Sequence, residues 1–364
     1  MIIYYIIFFF LILRFTVTLF NMISNPKLTM SPRRYTDKVS VLIPARNEEA
    51  SLPGLLISLM NQDYQNIEVI VLDDNSTDHT YPAAESLCKQ DSRFHVVKGL
   101  PLPDGWLGKN FACYQLAELA TGDYFLFLDA DELVADGLIN NAVHRMKMNR
   151  QHLLSLFTNQ EMKTLGEYTV VPLMHFVLLN LLPLRLVRLS NNPSFAAASG
   201  QFMLFDAENY RNRQWHKQVK NRVVEDIEIM KALKAEGFKG EALLANGYIR
   251  CRMYSGYGEA IRGFGKNFLA GFNDNIPMLL IYLLLVVFGP IYVAVYLNFQ
   301  LLFFAVTLII LSRVMIAYLS GQKVWINVLL HPIQIINMLI IAGLSIKNHV
   351  SGNLTWKGRK INRF

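Results

Sequence analysis

Short apolar runs that end in acidic or polar turns recur along the first part of the chain. Val39 to Ile43 leads into Pro44-Ala45-Arg46-Asn47-Glu48-Glu49, and Ile67 to Leu72 leads into Asp73-Asp74-Asn75-Ser76-Thr77-Asp78. Tyr124 to Leu128 leads into Asp129-Ala130-Asp131-Glu132. Runs this short, bounded by turn residues, fit buried strands of a parallel sheet. After the first turn, Leu52, Leu55, Leu56, Leu59 and Met60 recur at helical spacing, and a second helical stretch follows the next turn. Strand, polar turn and helix in repetition predict βαβ units and a doubly wound sheet. The polar clusters should then gather along one edge, at the carboxyl ends of the strands, where open α/β sheets bind ligands.

The two ends of the chain follow another pattern. Ile2 to Phe20 is apolar apart from Arg14 and two threonines, close to the roughly 20 residues that cross a bilayer. It lacks the basic start and small-residue cleavage site of a secretory signal, so residues 1–22 are expected to form a retained anchor. Lys27, Arg33, Arg34 and Lys38 follow, which places the domain of residues 38–272 on the cytoplasmic side of the cell membrane. Ile276–Asn298, Leu301–Ser320 and Val324–Ile346 form three further apolar blocks within 276–346, followed by a basic tail over 347–364. Three full crossings would put Lys347, Lys357, Arg359, Lys360 and Arg363 outside, against the charge rule. One block is therefore expected to be interfacial or re-entrant. Arg313, inside the second block, should face protein or snorkel. Val170 to Val187 is broken by Pro172, His175, Asn180, Pro183 and Arg185. It reads either as an interfacial segment, near 170–187, that offers a lipid a route, or as a helix packed on the sheet.

Composition agrees with one sizeable globular domain plus membrane segments: 364 residues, 52% hydrophobic and 17% charged. Mean hydropathy is +0.26. The net charge of +7 is spread over linkers and the tail, without a basic helix or an aromatic RNA-binding motif. Anionic lipid and a nucleotide diphosphate, not nucleic acid, are the partners this charge predicts. Cys88, Cys113 and Cys251 show neither metal-ligand spacing nor a disulfide framework, and read as reduced structural thiols.

Candidate chemistry concentrates in the turns. Side chains alternate along a strand, so Asp129 and Asp131 should point the same way and share one divalent cation. Hard oxygen donors suit Mg²⁺ or Mn²⁺. The alternative is a loop of solvated acids capping the next helix. Gly105-Trp106-Leu107-Gly108-Lys109-Asn110 reads as a flexible loop whose lysine meets phosphate as a point charge. Lys109 and Arg252 are both candidates for a diphosphate, with simple surface charges as the alternative. Glu225 and Asp226 precede a helical pattern of Ile229, Met230 and Leu233. They are either helix-start acids favoured by the dipole or the source of a general base, Asp226.

The motifs Pro44 to Glu49, Leu72 to Asp78 and Asp129-Ala130-Asp131 resemble the opening motifs of family 2 glycosyltransferases, inverting enzymes with the GT-A fold. Ser199-Gly200-Gln201-Phe202, Val224-Glu225-Asp226-Ile227 and Arg252-Met253-Tyr254 are similar to blocks in membrane-bound members that act on lipids. Gly108-Lys109-Asn110-Phe111-Ala112-Cys113-Tyr114-Gln115 and the tail Trp356-Lys357-Gly358-Arg359 look like those of bacterial carotenoid-acid glycosyltransferases, and hopanoid-associated relatives share some of these blocks. The resemblance implies an α/β, Rossmann-like nucleotide-sugar domain between N- and C-terminal transmembrane helices. It implies a metal-dependent hexosyltransferase of carotenoid biosynthesis that moves glucose from a UDP-sugar to a membrane lipid. Asp131, with Asp129, would hold the metal, and Asp129 would approach the ribose. Asp74 would read the nucleobase, and Pro44, Ala45, Arg46 and Glu48 would line the nucleoside pocket. Gly200 would contribute to the substrate site, and Asp226 would act on the acceptor, orienting rather than deprotonating it if the acceptor is an acid.

The chain departs from the family where relatives carry Gly-Gly-His, with Gln214-Trp215-His216 in their place, which leaves a metal or phosphate role for His216 open. Arg250-Cys251-Arg252-Met253-Tyr254 replaces the Gln-x-x-Arg-Trp of processive polysaccharide synthases and argues against polymer synthesis. Two other readings compete. One is transfer to a polyprenyl phosphate. The other is a non-catalytic membrane scaffold with a degenerate transferase fold, which predicts eroded carboxylates, whereas Asp74, Asp129, Asp131 and Asp226 are all present.

Overall fold

The structure, a computed structural model, describes residues 2–351, 354–356 and 359–361. Lys357, Gly358 and Arg363 of the basic tail lie outside the described residues. The chain forms two compact units: Met1–Asn25, Gln160–Pro183 and Met253–Phe364 in one, Pro26–Asn159 and Leu184–Arg252 in the other.

The second unit is α/β. Its strands are β1 (Val39–Ala45), β2 (Ile67–Asp73), β3 (Phe94–Lys98), β4 (Tyr124–Leu128), β5 (Glu132–Val134), β6 (Leu153–Phe157), the two-residue β7 (Asn159–Gln160), β8 (Phe202–Asp206), β9 (Gly240–Leu244) and β10 (Ile249–Cys251). Seven of them make one sheet in the order β3-β2-β1-β4-β8-β6-β9. All pairings in it are parallel except those of β8, which runs antiparallel to both β4 and β6. The apolar runs are continuous because helices cover both faces of the sheet: every residue of β4, β6 and β9 is buried. Helix Leu52–Met60 buries Leu52, Leu55, Leu56 and Leu59, the expected stripe. The expected fold class, α/β with a Rossmann-like sheet, holds, with β8 as an antiparallel addition that alternation alone did not predict.

Away from the polar edge, the sheet is closed by a half-buried acid. Glu68 of β2 accepts hydrogen bonds from Ser40 Oγ (2.5 Å) and from the N–H (2.7 Å) and hydroxyl of Thr121, and pairs with Lys38 at 3.0 Å. Gly122 is required beside it, because a Cβ there would sit 2.7 Å from Ser40 Oγ and 2.8 Å from the Lys38 carbonyl. Burial alone would raise the Glu68 carboxyl; the donors from Ser40, Thr121 and Lys38 outweigh it and hold the group at about 2.

The first unit is helical. Ile2–Ser24, Ile276–Tyr296, Phe299–Leu319 and His331–Ser351 are each long and apolar enough to cross a membrane. The block expected over Val324–Ile346 is broken: a short helix, Val324–Leu329, precedes His331–Ser351. Leu165–Val170 opens on a capping box, Thr164 Oγ1 accepting from the Glu167 N–H at 3.3 Å. Leu173–Leu181 packs on Ile2–Ser24, where Asn21 donates to the carbonyls of Leu179 and Leu182 at 2.9 and 2.8 Å. Val170, Leu173, Phe176 and Leu179 are buried. The expected stretch 170–187 is therefore two helices in this unit, ending at Pro183, and the short helix Leu186–Leu189 in the other.

Glu68→Gln should destabilise the α/β unit by about 2 kcal/mol at pH 7. A carboxyl held below its ordinary value stabilises only above that ordinary value, about 4.3, and loses the contribution as pH falls through its folded value. Denaturant titrations at pH 7 and near pH 2.5 should show the gap between variant and wild type closing.

Candidate active site

Parallel β1, β2 and β4 end together, so the turns after them share one edge. Registers carry this to the last residues, with Ala45 opposite Asp73. Asn47 and Asn75 stand at left-handed φ of 53° in the first two turns, a conformation asparagine tolerates better than most residues. Their turns clasp each other: the Thr77 N–H donates to Asn47 Oδ1 at 2.8 Å and the Asn47 N–H to Ser76 Oγ at 3.0 Å. Arg46 donates to the carbonyls of Asp74 and Asn75 at 2.5 and 2.8 Å. Glu48 accepts from Ser51 Oγ at 2.6 Å, and its N–H donates to Thr80 Oγ1. Pro44 and Ala45 close β1 beside this clasp, and Asp74 is buried beneath it, its N–H on the Ala45 carbonyl at 2.8 Å.

Because β8 runs antiparallel, it begins where β4 ends: Leu128 lies opposite Phe202, and the Asp129 N–H donates to the Gln201 carbonyl at 3.3 Å. Gly200 is thereby delivered to the acidic turn. Its N–H donates to Asp226 Oδ2 at 2.8 Å, and Oδ1 of the same carboxyl accepts from the Ile227 N–H at 2.8 Å. Asp226 stands in the first turn of helix Glu225–Ala235, where a carboxylate complements the dipole. Lys109 Nζ joins the two halves, 2.8 Å from Asp129 Oδ1 and 3.1 Å from Glu225 Oε1. Burial alone would lower the Lys109 ammonium; Asp129 and Glu225 reverse this and hold it well above its usual value. A Cβ at Gly200 would stand 3.0 Å from both Lys109 Nζ and Glu225 Oε1, so a larger residue would push both groups aside.

On the other side of the turn, β5 pairs with β10, placing Cys251 opposite Glu132 and Arg252 immediately after. Cys251 Sγ lies 3.4 Å from Asp131 Oδ2. Glu132 is fully buried, and neither of its carboxylate oxygens accepts from an N–H or O–H group. Burial, then the charges of Asp131 and Asp129, pushes it well above the carboxylate range. Burial, then Asp129 and Glu48, raises Asp131 to about 6. Donor atoms of Asp131, Glu132 and Cys251 lie within 4.8 Å of one another. Orphaned carboxylate oxygens packed this closely fit a divalent cation, whose charge would relieve their repulsion.

Residues 40–213 match the family model described as Glycosyl transferase family 2. This stretch is similar to the family 2 glycosyltransferases. A 4,4'-diaponeurosporenoate glycosyltransferase of Staphylococcus haemolyticus (strain JCSC1435) is 28% identical over 271 residues, covering 70% of this chain and 68% of its own. The protein of the same name from Staphylococcus aureus (strain Newman) is 26% identical over 259 residues, covering 70% and 66%. The chain thus spans about two thirds of the length of these relatives. In fold it is similar to the mannosyltransferase PcManGT from Pyrobaculum calidifontis, solved in complex with GDP-Man and Mn²⁺, at a TM-score of 0.54 and 16% identity over 96% of this chain and 99% of that one.

At this site, three expectations change. The Asp129-Ala130-Asp131 turn begins after β4 ends at Leu128, so strand alternation does not align the two carboxyls. Asp129 is bound by Lys109, while Asp131 faces Cys251 and Glu132. Lys109 is not in a flexible loop: helix Gly108–Leu119 starts one residue before it, and its ammonium holds carboxylates. Cys251 is not remote from the chemistry but part of the acidic cluster. His216 is buried, its Nδ1 2.7 Å from the Tyr210 hydroxyl and its ring against Phe127, and burial followed by Lys109 lowers it to about 3. It is a neutral core residue. Gln214, just before it, adopts a left-handed φ of 50°. Glu225, Glu132 and Cys251 were the residues that sequence reasoning missed as site members; the adjacency of Glu225 to Asp226 and of Glu132 to Asp131 was the available signal.

Burial, then the charge of Glu225, raises Asp226 to about 7 even though two N–H groups favour its ionised form. In the unfolded chain the same carboxyl ionises near about 3.9. The folded state therefore binds this proton more tightly, and the resulting stability is present in full below the unfolded value and lost as pH rises through 7. Asp226→Asn should melt at a higher temperature than the wild type at pH 8, with the gain shrinking between pH 7 and pH 4. Thermal denaturation across that range checks it; a gain independent of pH would assign the effect to packing.

Proposed function

We propose that the chain is an inverting hexosyltransferase that moves glucose from UDP-glucose to the carboxyl group of a carotenoid-type acid in the membrane. The observation that carries this reading is the joining of two carboxylate groups by Lys109: the Asp129-Ala130-Asp131 turn on one side and Glu225-Asp226 on the other. A donor's diphosphate and an acceptor's nucleophile need such separate carboxylate stations on one sheet edge. The acceptor class is supported by the names of the relatives, and the membrane location by the four long apolar helices.

Asp131, flanked by Asp129 and Glu132, would hold Mg²⁺ or Mn²⁺, which when bound neutralises the charge that develops on the departing diphosphate. The chain's own groups do the rest. Arg46, Glu48, Asp74, Pro44 and Ala45 bound the nucleoside pocket, and Lys109 fixes Asp129 beside it. Gly200 lets Lys109 and Glu225 approach and holds Asp226 through its N–H, and Arg252, at the end of β10, would meet the diphosphate. An acid acceptor is already ionised and needs no base. Asp226, raised to about 7, is then able to carry a proton and donate a hydrogen bond to the incoming carboxylate. The product is an ester in the inverted configuration, since attack comes opposite the leaving group.

Membranes carrying the protein, supplied with labelled UDP-glucose and an extract of carotenoid acids, should yield a lipid-extractable glucosyl ester by mass spectrometry. Asp131→Asn should abolish the product, a loss of at least about a hundredfold, while the melting transition persists. Label appearing only on polyprenyl phosphate or in a water-soluble oligosaccharide would overturn the acceptor assignment.

Lys27, Arg33, Arg34 and Lys38 after the first apolar helix support a catalytic unit on the cytoplasmic side. Single cysteines introduced at Arg34 and Arg150 should react with an impermeant maleimide only after cell lysis, the native cysteines all being buried. Labelling of intact cells would reverse the orientation.

A further inference from the structure

Within the helical unit, two arginines lie on apolar helices with no acidic partner among the described residues. Arg313, in Phe299–Leu319, is only 1% exposed. Its Nη2 donates to Asn327 Oδ1 at 2.8 Å and to Gln334 Oε1, whereas Nε and Nη1 are buried with no acceptor among the described residues. Its guanidinium lies over the ring of Phe176, 4.7 Å from the centroid. Arg14, in Ile2–Ser24, lies over the same ring at 5.2 Å and over Phe10 at 5.4 Å, with its Nε donating to Asn180 Oδ1 at 3.2 Å. His331 sets its ring edge-on to Phe176 at 5.5 Å, and its buried Nδ1 has no partner. Every side chain these two guanidiniums touch is neutral. The only acids in the unit are Glu161, Glu167, Glu259 and Asp274, and none belongs to a membrane-length helix.

A guanidinium does not deprotonate in a protein, so burial leaves it charged. Amide oxygens and an aromatic face compensate only part of the lost hydration, and two N–H groups of Arg313 receive nothing. Two like charges across one ring add repulsion. Ionisable groups are kept on membrane helices where they meet a counter-charge or a ligand, and no counter-charge meets these two among the described residues. Arginine's weakly hydrated, planar guanidinium suits carboxylate and phosphate oxygens.

We propose that the helical unit binds the anionic headgroup of a membrane amphiphile, a carboxylate or a phosphate, between Arg313 and Arg14 beside Phe176. An amphiphile is the occupant because both arginines stand on membrane-length helices, which a bilayer-borne headgroup reaches and a free anion does not. This inference rests on the arginines' surroundings and not on the transfer reaction proposed above.

The test uses the full chain in detergent, examined by native mass spectrometry with equal concentrations of a phosphatidylglycerol, a phosphatidylcholine and oleate of matched chain. The wild type should retain one anionic amphiphile with about tenfold preference over phosphatidylcholine. Retention of the phosphatidylglycerol identifies a phosphate site, and retention of oleate a carboxylate site. Arg313→Gln and Arg14→Gln should each lose most of that preference. Equal retention of all three by the wild type would overturn the proposal, as would an unchanged preference in both variants. If Arg313→Gln fails to fold, the competition on the wild type and on Arg14→Gln still decides.

Discussion

The ammonium of Lys109 is the constraint on which the polar edge of the sheet depends. Asp129, Glu225, Asp226 and Asp131 crowd a partly enclosed site, and without a cation among them their repulsion would oppose folding. Lys109 answers two of them, Asp129 at 2.8 Å and Glu225 at 3.1 Å. Removing one partner of a buried pair commonly costs more than the pair contributes, because the remaining charge is stranded. The helix that begins at Gly108 and packs on β1 and β2 holds the lysine in this position, so the ion triad is tied directly to the sheet core. Gly200 completes the arrangement, since any side chain there would displace both Nζ and the Glu225 carboxylate.

The remaining acids are less well answered, and that is chemically informative. Glu132 is buried with two oxygens that meet no N–H or O–H donor, and Asp131 and Asp226 are both raised toward neutral pH. A fold selected for stability alone would remove or pair these groups. Strongly perturbed carboxyls gathered beside a nucleotide-sugar fold instead mark a site whose ligands supply the missing charge.

The helical unit follows a similar logic in another solvent. Asn21, Asn327, Gln334 and Asn337 lie buried on or between apolar helices, where their amides satisfy backbone carbonyls and one another. Nε and Nη1 of Arg313 are among the groups this amide network leaves unsatisfied.

The sequence by itself determined the elements that depend on local pattern. Continuous apolar runs could be nothing but buried strands or helix cores, and their spacing and terminal polar turns marked β1, β2 and β4 almost to the residue. The helical stripe at Leu52, Leu55, Leu56 and Leu59, and the long apolar helices at both ends, were legible for the same reason: their periodicity and length are set by contacts within a few residues. Asp226 and the Asp129-Ala130-Asp131 turn were likewise legible as motifs. Tertiary structure decided what each charged side chain meets. Nothing local reveals that β8 runs antiparallel and carries Gly200 to the end of β4, or that Lys109, about twenty residues before Asp129, reaches both it and Glu225. Nor does it reveal that β10 sets Cys251 against Glu132. These partnerships join residues far apart in the chain, and the electrostatics follow from distance and burial in three dimensions, quantities that hydrophobic periodicity does not encode.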